Sequence, residues 1–199
     1  MMIFYQFLYL TLTYFICSIP FGLIFGKIFA KTDIRNFGSK NIGATNATRI
    51  LGKKIGFATL VFDSGKGMIM VIIARFSFYE ASFLHLFLVL VSLVSILGHI
   101  YPLYLKFNGG KGVATTIGSI IALDFSVGIL AICFWILTFV SFRISAVASL
   151  VAIFSTTIFS TAYDAPFSQI IFCWVVFAII FVKHKENILR ILTGEEKKM

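Results

Sequence analysis

A polar, glycine-rich run over residues 37–49 separates two of the most apolar stretches of the chain. Arg49 offers a guanidinium, which binds a phosphate through two parallel hydrogen bonds. Ser39 offers a hydroxyl, and because no neighbouring residue could act as its base, we interpret it as a hydrogen-bond donor and not as a covalent nucleophile. The run predicts a site for a phosphate-bearing ligand; anchoring to lipid headgroups is the alternative role for Arg49.

A second polar cluster, at residues 108–112, directly precedes an apolar helix. Glycines such as Gly109, Gly110 and Gly112 let consecutive backbone N–H groups turn towards one anion, and the helix N-terminus and Lys111 add positive charge. The spacing is not that of a Walker A loop. This cluster predicts a phosphate loop, with a plain turn carrying a snorkelling lysine as the alternative.

The third cluster is formed by His184 and Asn187 with Arg190 and Glu196. If the last span continues into the tail as one helix, His184 and Asn187 share a face, three residues apart, and this helix would close the site. A structural histidine at the membrane interface is the alternative. For His85 and His99 we predict structural roles, as polar groups satisfied inside the bundle.

Asp63 and Lys66 stand three residues apart within an apolar stretch, near the middle of a bilayer. Ionisable groups at that depth are costly unless they are paired. We therefore predict an ion pair that acts as an internal strut.

The composition is that of an integral membrane protein: 59% of the 199 residues are hydrophobic and 13% are charged. The net charge of +9 does not form a basic stripe with interleaved aromatic residues, which excludes a nucleic-acid partner. Cys17, Cys133 and Cys173 lack metal or redox spacing and are interpreted as small buried hydrophobes. Residues 1–25 lack a signal-peptide pattern and are interpreted as a retained first span.

The apolar stretches predict an all-α, polytopic helical bundle that forms one domain over residues 1–199. Seven transmembrane helices are expected, over residues 3–26, 55–74, 81–105, 113–123, 125–142, 144–162 and 167–182. The fourth and fifth are short for a crossing, so five spans with a re-entrant hairpin are the structural alternative.

Basic residues set the predicted orientation. With seven spans, nearly all of them fall on the side of the three polar clusters, and the opposite loops hold Arg75 with Glu80, Asp124 and Asp164. The positive-inside rule then places the amino terminus outside and the carboxyl terminus in the cytoplasm.

Five segments occur in a characteristic order: Asp33-Ile34-Arg35, residues 38–49, residues 63–67, Gly98-His99 with residues 109–115, and residues 184–196. Together they resemble the acyl-phosphate-dependent glycerol-3-phosphate acyltransferase family. The resemblance implies a multispan enzyme of the bacterial plasma membrane with its site facing the cytoplasm. It implies transfer of a fatty acyl group from acyl phosphate to the 1-position hydroxyl of glycerol 3-phosphate, giving lysophosphatidic acid and phosphate in phospholipid synthesis.

The resemblance also implies roles for individual residues. The catalytic set is Ser39, Arg49, Lys111, His184 and Asn187. The substrate-binding set is Asn41, Thr45, Asn46, Gly109, Gly110 and Gly112. Glu196 is implied to be structural, and it joins Asp63 and Lys66, for which the spacing alone already predicts a structural role. Lys40 stands where glycine is common in the family, which leaves the backbone angle at this point of the loop open.

Acyl phosphate is already activated, so no cofactor, metal, ATP or coenzyme A is expected, and transfer is predicted to be direct, without an acyl-enzyme. The proton acceptor is either His184, with an ordinary pKa of about 6.5, or a substrate phosphate, with a second pKa of about 6. The expected partners are the two substrates and membrane lipid, with no obligatory protein partner.

Two other functions compete with this one. A transporter or channel for phosphate-bearing solutes would use the same anion ligands, but it needs polar residues along a path and usually two related halves, and no internal repeat is visible. A lipid phosphotransferase would require acidic metal ligands near the polar clusters, and the sequence does not supply them there.

Overall fold

The computed structural model describes all 199 residues and contains helices and turns but no strand. The α-helices are α1 (Met2–Cys17), α2 (Phe21–Ala30), α3 (Ala44–Leu51), α4 (Lys53–Ser77), α5 (Leu84–Ile100), α6 (Val113–Leu123), α7 (Phe125–Phe142), α8 (Ser145–Ala162), α9 (Phe167–Lys183) and α10 (Lys185–Leu192). Single 3-10 turns occur at Ile34–Asn36 and Leu103–Leu105.

Prolines explain where the first and third predicted spans differ from the observed helices. Proline cannot continue a helix, because it lacks an N–H and its ring clashes with the preceding turn. The chain therefore breaks before Pro20 and resumes as α2, whose first turn is closed by the N–H groups of Leu23 and Ile24 on the Pro20 carbonyl. Similarly, α5 ends at Ile100, two residues before Pro102, where the prediction continued to Leu105.

The later predicted boundaries agree closely with the structure. The fourth and fifth stretches coincide with α6 and α7, and the last two differ from α8 and α9 by one residue each. Asp124 accounts for the division between α6 and α7, since its carboxylate caps α7 by accepting from the Val127 N–H at 3.1 Å.

Five segments are long and apolar enough to cross a membrane: Met2–Ala30, Lys53–Ser77, Leu84–Leu105, Phe125–Phe142 and Ser145–Ala162. A sixth is obtained if α9 and α10, which are bent by 59°, are counted as one span. The 11 residues of α6 rise only about 16 Å, roughly half the thickness of the hydrocarbon core. Length and composition therefore support five or six spans.

The bundle is built around α4 and α6, which pack in close contact. Small residues permit this approach: a Cβ at Gly67 would lie 2.8 Å from the Thr115 carbonyl oxygen, and one at Gly118 would collide with the backbone of Ser64. The main core takes buried residues from α1 and from all helices between α4 and α9. A second, smaller core of Leu23, Ile34, Ile42 and Ala47 lies beneath the first polar loop and holds it against α2 and α3.

The three polar clusters meet at one end of the bundle. Arg49 Nη2 donates to the Lys197 carbonyl at 2.9 Å, and the Lys111 ammonium donates to the Asn187 carboxamide oxygen. At the other end, His85 contacts Ser168 Oγ at 3.1 Å and Gln169 Oε1 at 3.2 Å. His85 is therefore a satisfied structural histidine, as predicted.

Candidate active site

Asn46 organises the first polar loop. Its buried carboxamide donates to the carbonyls of Ile34, Phe37 and Asn41 at 2.9, 3.2 and 2.8 Å, and its oxygen accepts from the Ser39 N–H at 2.9 Å. These contacts occupy both its donor and its acceptor groups. Asn46 therefore shapes the loop that presents Ser39, whereas the resemblance implied that it binds substrate directly.

The same loop requires left-handed backbone at two places. Gly38 has φ 60° and Lys40 has φ 56°, so the position where the family commonly has glycine keeps the glycine-like angle with a lysine. A non-glycine residue in this region costs roughly 1–2 kcal/mol. Asn41 stabilises the turn by accepting from the Gly43 N–H at 2.8 Å, just before α3 begins.

The second polar loop differs from the predicted anion nest. The Gly109 N–H donates to the Ile100 carbonyl and the Gly110 N–H to the His99 carbonyl, each at 3.1 Å. These donors are used to dock the loop on the end of α5, so they do not point at a ligand. Lys111 and Gly112 remain at the site, and Gly112 has φ 88°, an angle that favours glycine.

The third cluster also departs from the predicted single helix. The chain bends by 59° between α9 and α10, and His184 lies at the bend. Its Nδ1 lies 2.8 Å from the Ile180 carbonyl, which can only accept, so Nδ1 carries the proton and Nε2 of the neutral ring carries a lone pair. His184 and Asn187 still reach the same site, and both are buried.

A chain of side-chain contacts joins the second and third clusters. The Lys111 ammonium donates to the Asn187 oxygen, and Asn187 Nδ2 donates to Glu196 Oε1 at 2.8 Å. The other Glu196 oxygen accepts from Arg190 Nε at 2.7 Å. Glu196 thus ties the tail to α10 and orients Asn187.

Burial lowers the pKa of two titratable groups at this site, Lys111 and His184. The pKa of Lys111 is about 8, because partial burial outweighs the nearby Glu196 carboxylate, which acts in the opposite direction. The pKa of His184 is about 4, mainly through burial and secondly through the Lys111 charge. At pH 7 the site therefore holds a charged lysine beside a neutral histidine.

These residues line one cavity of about 370 Å³. At its polar end stand Ser39, Asn41, Thr45, Asn46, Arg49, Lys111, Gly112, His184, Asn187 and Glu196. At its apolar end stand Leu60, Ile117, Ile121, Ile132, Trp135 and Ile136. A cavity with one cationic end and one apolar end suits a molecule that joins a phosphate to a hydrocarbon chain.

Of the predicted site residues, Gly109, Gly110 and Lys66 do not line the cavity, whereas Asp63 does. Lys66 Nζ donates to Asp63 Oδ1 at 2.9 Å, so the predicted ion pair is formed, and it also donates to the Ile19 carbonyl at 2.9 Å. Both residues are buried.

His99 was predicted to be satisfied inside the bundle, and this is wrong. Its Nδ1 lies 3.5 Å from Asp63 Oδ1 and has no hydrogen-bond partner, and the side chain lines the cavity. The signal in the sequence was the pair Gly98-His99, nine residues before the second polar cluster at residues 108–112. Its meaning depends on a contact with Asp63, 36 positions earlier in the chain, which no local pattern shows.

A further wall of the cavity, formed by α7 and α8, was not predicted from the sequence. Thr45 Oγ1 lies 2.8 Å from Ser145 Oγ, and Trp135 Nε1 donates to Ser149 Oγ at 3.3 Å. Isolated serines and a tryptophan in apolar helices carry no spacing signal, so only the packing of α7 against α8 shows that they face the site.

The fold and the site together define an integral membrane protein with a cavity that is cationic at one end and apolar at the other. The family model for glycerol-3-phosphate acyltransferase matches residues 7–194. This chain therefore belongs to the glycerol-3-phosphate acyltransferase family.

Individual relatives agree with this assignment. The chain is 40% identical over 186 residues to a glycerol-3-phosphate acyltransferase of Dinoroseobacter shibae, covering 94% of this chain and 89% of that protein. It is 41% identical over 190 residues to that of Ehrlichia canis, covering 96% of each chain. It also superimposes on the crystal structure of PlsY (YgiH), an integral membrane glycerol 3-phosphate acyltransferase, in the glycerol 3-phosphate form. The TM-score is 0.91 and the identity is 38%, and the match covers 98% of this chain and 95% of that one.

Proposed function

We propose that this protein transfers a fatty acyl group from acyl phosphate to the sn-1 hydroxyl of glycerol 3-phosphate, forming lysophosphatidic acid and inorganic phosphate. The observation that carries the proposal is that Arg49, Lys111, His184 and Asn187, from three distant segments, line one cavity whose other end is apolar. Acyltransferase relatives that match nearly the whole chain support the same reaction.

In the proposed reaction the glycerol hydroxyl oxygen attacks the acyl carbonyl carbon, and the bond between that carbon and the phosphate oxygen breaks. Phosphate leaves with the electron pair of that bond. Arg49 and Lys111 supply positive charge for the two phosphates, and Ser39 and Asn41 supply donors for carbonyl and hydroxyl oxygens. The transfer is direct, because no residue beside Ser39 in the sequence could activate it as a nucleophile.

The environment of His184 bears on where the hydroxyl proton goes. A group with a pKa of about 4 accepts a proton less readily than a phosphate whose second pKa is about 6. We therefore assign His184 Nε2 to orient the hydroxyl by accepting its hydrogen bond, and the departing phosphate to take the proton.

We further propose seven crossings, with the amino terminus outside and the site facing the cytoplasm of a bacterial plasma membrane. Contacts at the end of α6 support a crossing of the membrane by this helix. Arg75, near the end of α4, donates to the Ala122 and Leu123 carbonyls at 2.8 and 3.1 Å. Gln169, near the start of α9, donates to the Asp124 carboxylate at 3.1 Å. The short α6 thus ends level with the far ends of its neighbours. The distribution of basic residues supports the orientation.

Purified protein supplied with acyl phosphate and glycerol 3-phosphate tests the reaction. We expect phosphate release that requires the acceptor, with one lysophosphatidic acid formed for each phosphate released. Release that is independent of glycerol 3-phosphate, or no release, would contradict the proposal. Proteoliposomes that accumulate glycerol 3-phosphate without forming lipid would instead favour a transporter.

A further inference from the structure

Behind the second polar loop lies a buried group of ionisable side chains, Asp63, Lys66 and His99, to which the proposed chemistry assigns no step. We propose that His99 is the positioning residue for Lys111. The imidazole, backed by the Asp63–Lys66 pair, is the surface on which the loop of residues 109–112 rests, and it thereby sets where the Lys111 ammonium meets the substrate phosphate. The inference rests on the proposed function, since substrate affinity is its readout.

The loop is fixed to this group on both sides of Lys111. Before it, the Gly110 N–H donates to the His99 carbonyl at 3.1 Å. After it, Thr115 Oγ1, in the first turn of α6, donates to the Asp63 carbonyl at 2.9 Å. Lys111 is thus held between two short tethers that end on residues of one buried group.

Gly110 shows how closely the loop rests on the imidazole. A Cβ at this position would collide with His99 Nε2 and would lie 2.9 Å from both Cδ2 and Cε1 of the ring. Gly110 is not among the glycines with positive φ, so its backbone angle does not require glycine. Gly112, two residues later, has φ 88° and requires glycine for its backbone. The two positions therefore require glycine for different reasons, and only at Gly110 is the reason the proximity of His99.

Asp63 and Lys66 close the side of the imidazole that faces away from the loop. On its far side Asp63 Oδ1 lies 3.5 Å from Nδ1 and accepts from Lys66 Nζ at 2.9 Å. Lys66 is in turn held by the Ile19 carbonyl at the break between α1 and α2. We therefore expect a side chain added at Gly110 to displace the loop, and Lys111 with it, because the buried ion pair opposes movement of the ring towards Asp63.

A double-mutant cycle tests this contact. His99→Asn keeps a polar group near Asp63 but removes Cε1 and Nε2, two of the three ring atoms nearest to Gly110. We expect Gly110→Ala to raise KM for glycerol 3-phosphate by about tenfold with a smaller change in kcat, and His99→Asn in the same chain to recover about fivefold or more of that loss. His99→Asn alone is expected to raise KM by about threefold, since the loop loses part of its support.

Gly112→Ala, with and without His99→Asn, is the matched control. Its defect comes from backbone strain and from crowding against the Ile100 side chain, and no atom of His99 is among its nearest contacts, so the second substitution should give no recovery. Binding of glycerol 3-phosphate, measured as ligand-induced thermal stabilisation of the purified variants, should follow KM. If Gly110→Ala fails to accumulate, recovery of folded protein in the double variant supports the contact.

Three results would overturn the inference: single-variant effects on KM that simply multiply in the double variant, equal recovery of Gly112→Ala by His99→Asn, or an unchanged KM for His99→Asn alone. Each of these can be read only if the wild-type protein makes lysophosphatidic acid. An inactive wild type would instead contradict the proposed function, so the two failures are distinguishable.

Discussion

Lys111 and His184 line the same cavity, but at neutral pH Lys111 is protonated and His184 is not. Burial lowers the pKa of both, but Lys111, at about 8, remains charged at neutral pH, while His184, at about 4, remains neutral. A charged lysine attracts the phosphate, and a neutral imidazole accepts a hydrogen bond from the hydroxyl. The division of roles between these two residues therefore follows from their environments.

The pKa of Lys111 predicts an alkaline limit to the reaction. Lys111 is cationic below about pH 8 and loses its charge above it, so kcat/KM for glycerol 3-phosphate should fall about tenfold per pH unit on the alkaline side. Lys111→Arg stays charged throughout and should remove this decline even if its activity at pH 7 is lower. Initial rates between pH 6.5 and 9.5, corrected for spontaneous hydrolysis of acyl phosphate, measure the effect. Parallel alkaline limbs in the two proteins would exclude Lys111 as the titrating group.

His184 predicts a difference between two substitutions. If Nε2 only accepts a hydrogen bond, His184→Gln supplies an acceptor and should keep kcat within about tenfold of wild type, whereas His184→Ala should lose about a hundredfold or more. Phosphate release at saturating substrates measures both. Equal and near-complete loss of turnover in both variants, with unchanged affinity, would identify His184 as the general base and argue against proton transfer to the phosphate.

At the residue level, sequence reasoning identified which side chains gather but not how their hydrogen bonds are used. Arg49, Lys111 and His184 are charged or titratable residues next to glycine-rich or apolar segments. A polar residue in such surroundings can be recognised from a single sequence. The donors of Asn46 and Gly110 are used up by carbonyls of neighbouring backbone. Satisfaction of hydrogen bonds depends on tertiary geometry, so their roles became clear only in the structure.

Among the elements, α10 departs most from its prediction. It is a short helix with one buried polar residue, Asn187, and with Leu189 and Leu192 exposed on other faces. The bend at His184 turns α10 away from the direction of α9, and Glu196 fastens the tail to it through Asn187 and Arg190. A straight continuation of α9 was the simpler expectation, because local sequence did not reveal the contact between Lys111 and Asn187.

The tail predicts a shift in the pH profile. The Glu196 carboxylate raises the pKa of Lys111 against the effect of burial, so Glu196→Gln, which removes the charge but keeps an oxygen acceptor for Asn187, should lower that pKa. The alkaline limb of kcat/KM is expected to move to lower pH. Glu195→Gln, at the exposed neighbouring position, is the matched control and should leave the limb in place. An unmoved limb in Glu196→Gln would contradict the coupling.

For the molecule as a whole, the bounds of α6 and α7 were predicted to the residue from the apolar stretches and from the charged residues that interrupt them, because Asp124 and Arg143 mark their ends in the sequence. The number of crossings is less accessible, since α6 is too short to be judged by its length. The proposal that it crosses depends on partners that the sequence separates widely, namely Arg75 on α4 and Gln169 on α9.

Cysteine labelling in intact cells tests the proposed topology. Cys133 is exposed, contrary to the prediction, whereas Cys17 and Cys173 are buried as predicted. In a Cys133→Ser background, Glu80→Cys and Ser126→Cys should react with a membrane-impermeant maleimide added outside. Lys54→Cys should react only after lysis. Failure of Ser126→Cys to label from outside would support the re-entrant alternative for α6 and α7, and labelling of Lys54→Cys in intact cells would reverse the orientation.

The cavity is open to its surroundings at the apolar end, where Leu60 is 44% exposed and Ile136 is 49% exposed. In a bilayer these side chains are expected to contact lipid tails, so the proposed acyl phosphate donor is expected to reach the site by lateral diffusion in the membrane and the acceptor to arrive from water. The effective concentration of the donor is then its mole fraction among the surrounding amphiphiles. Adding inert detergent or lipid at constant total acyl phosphate therefore slows the enzyme by surface dilution, and the composition of the membrane itself becomes a kinetic variable.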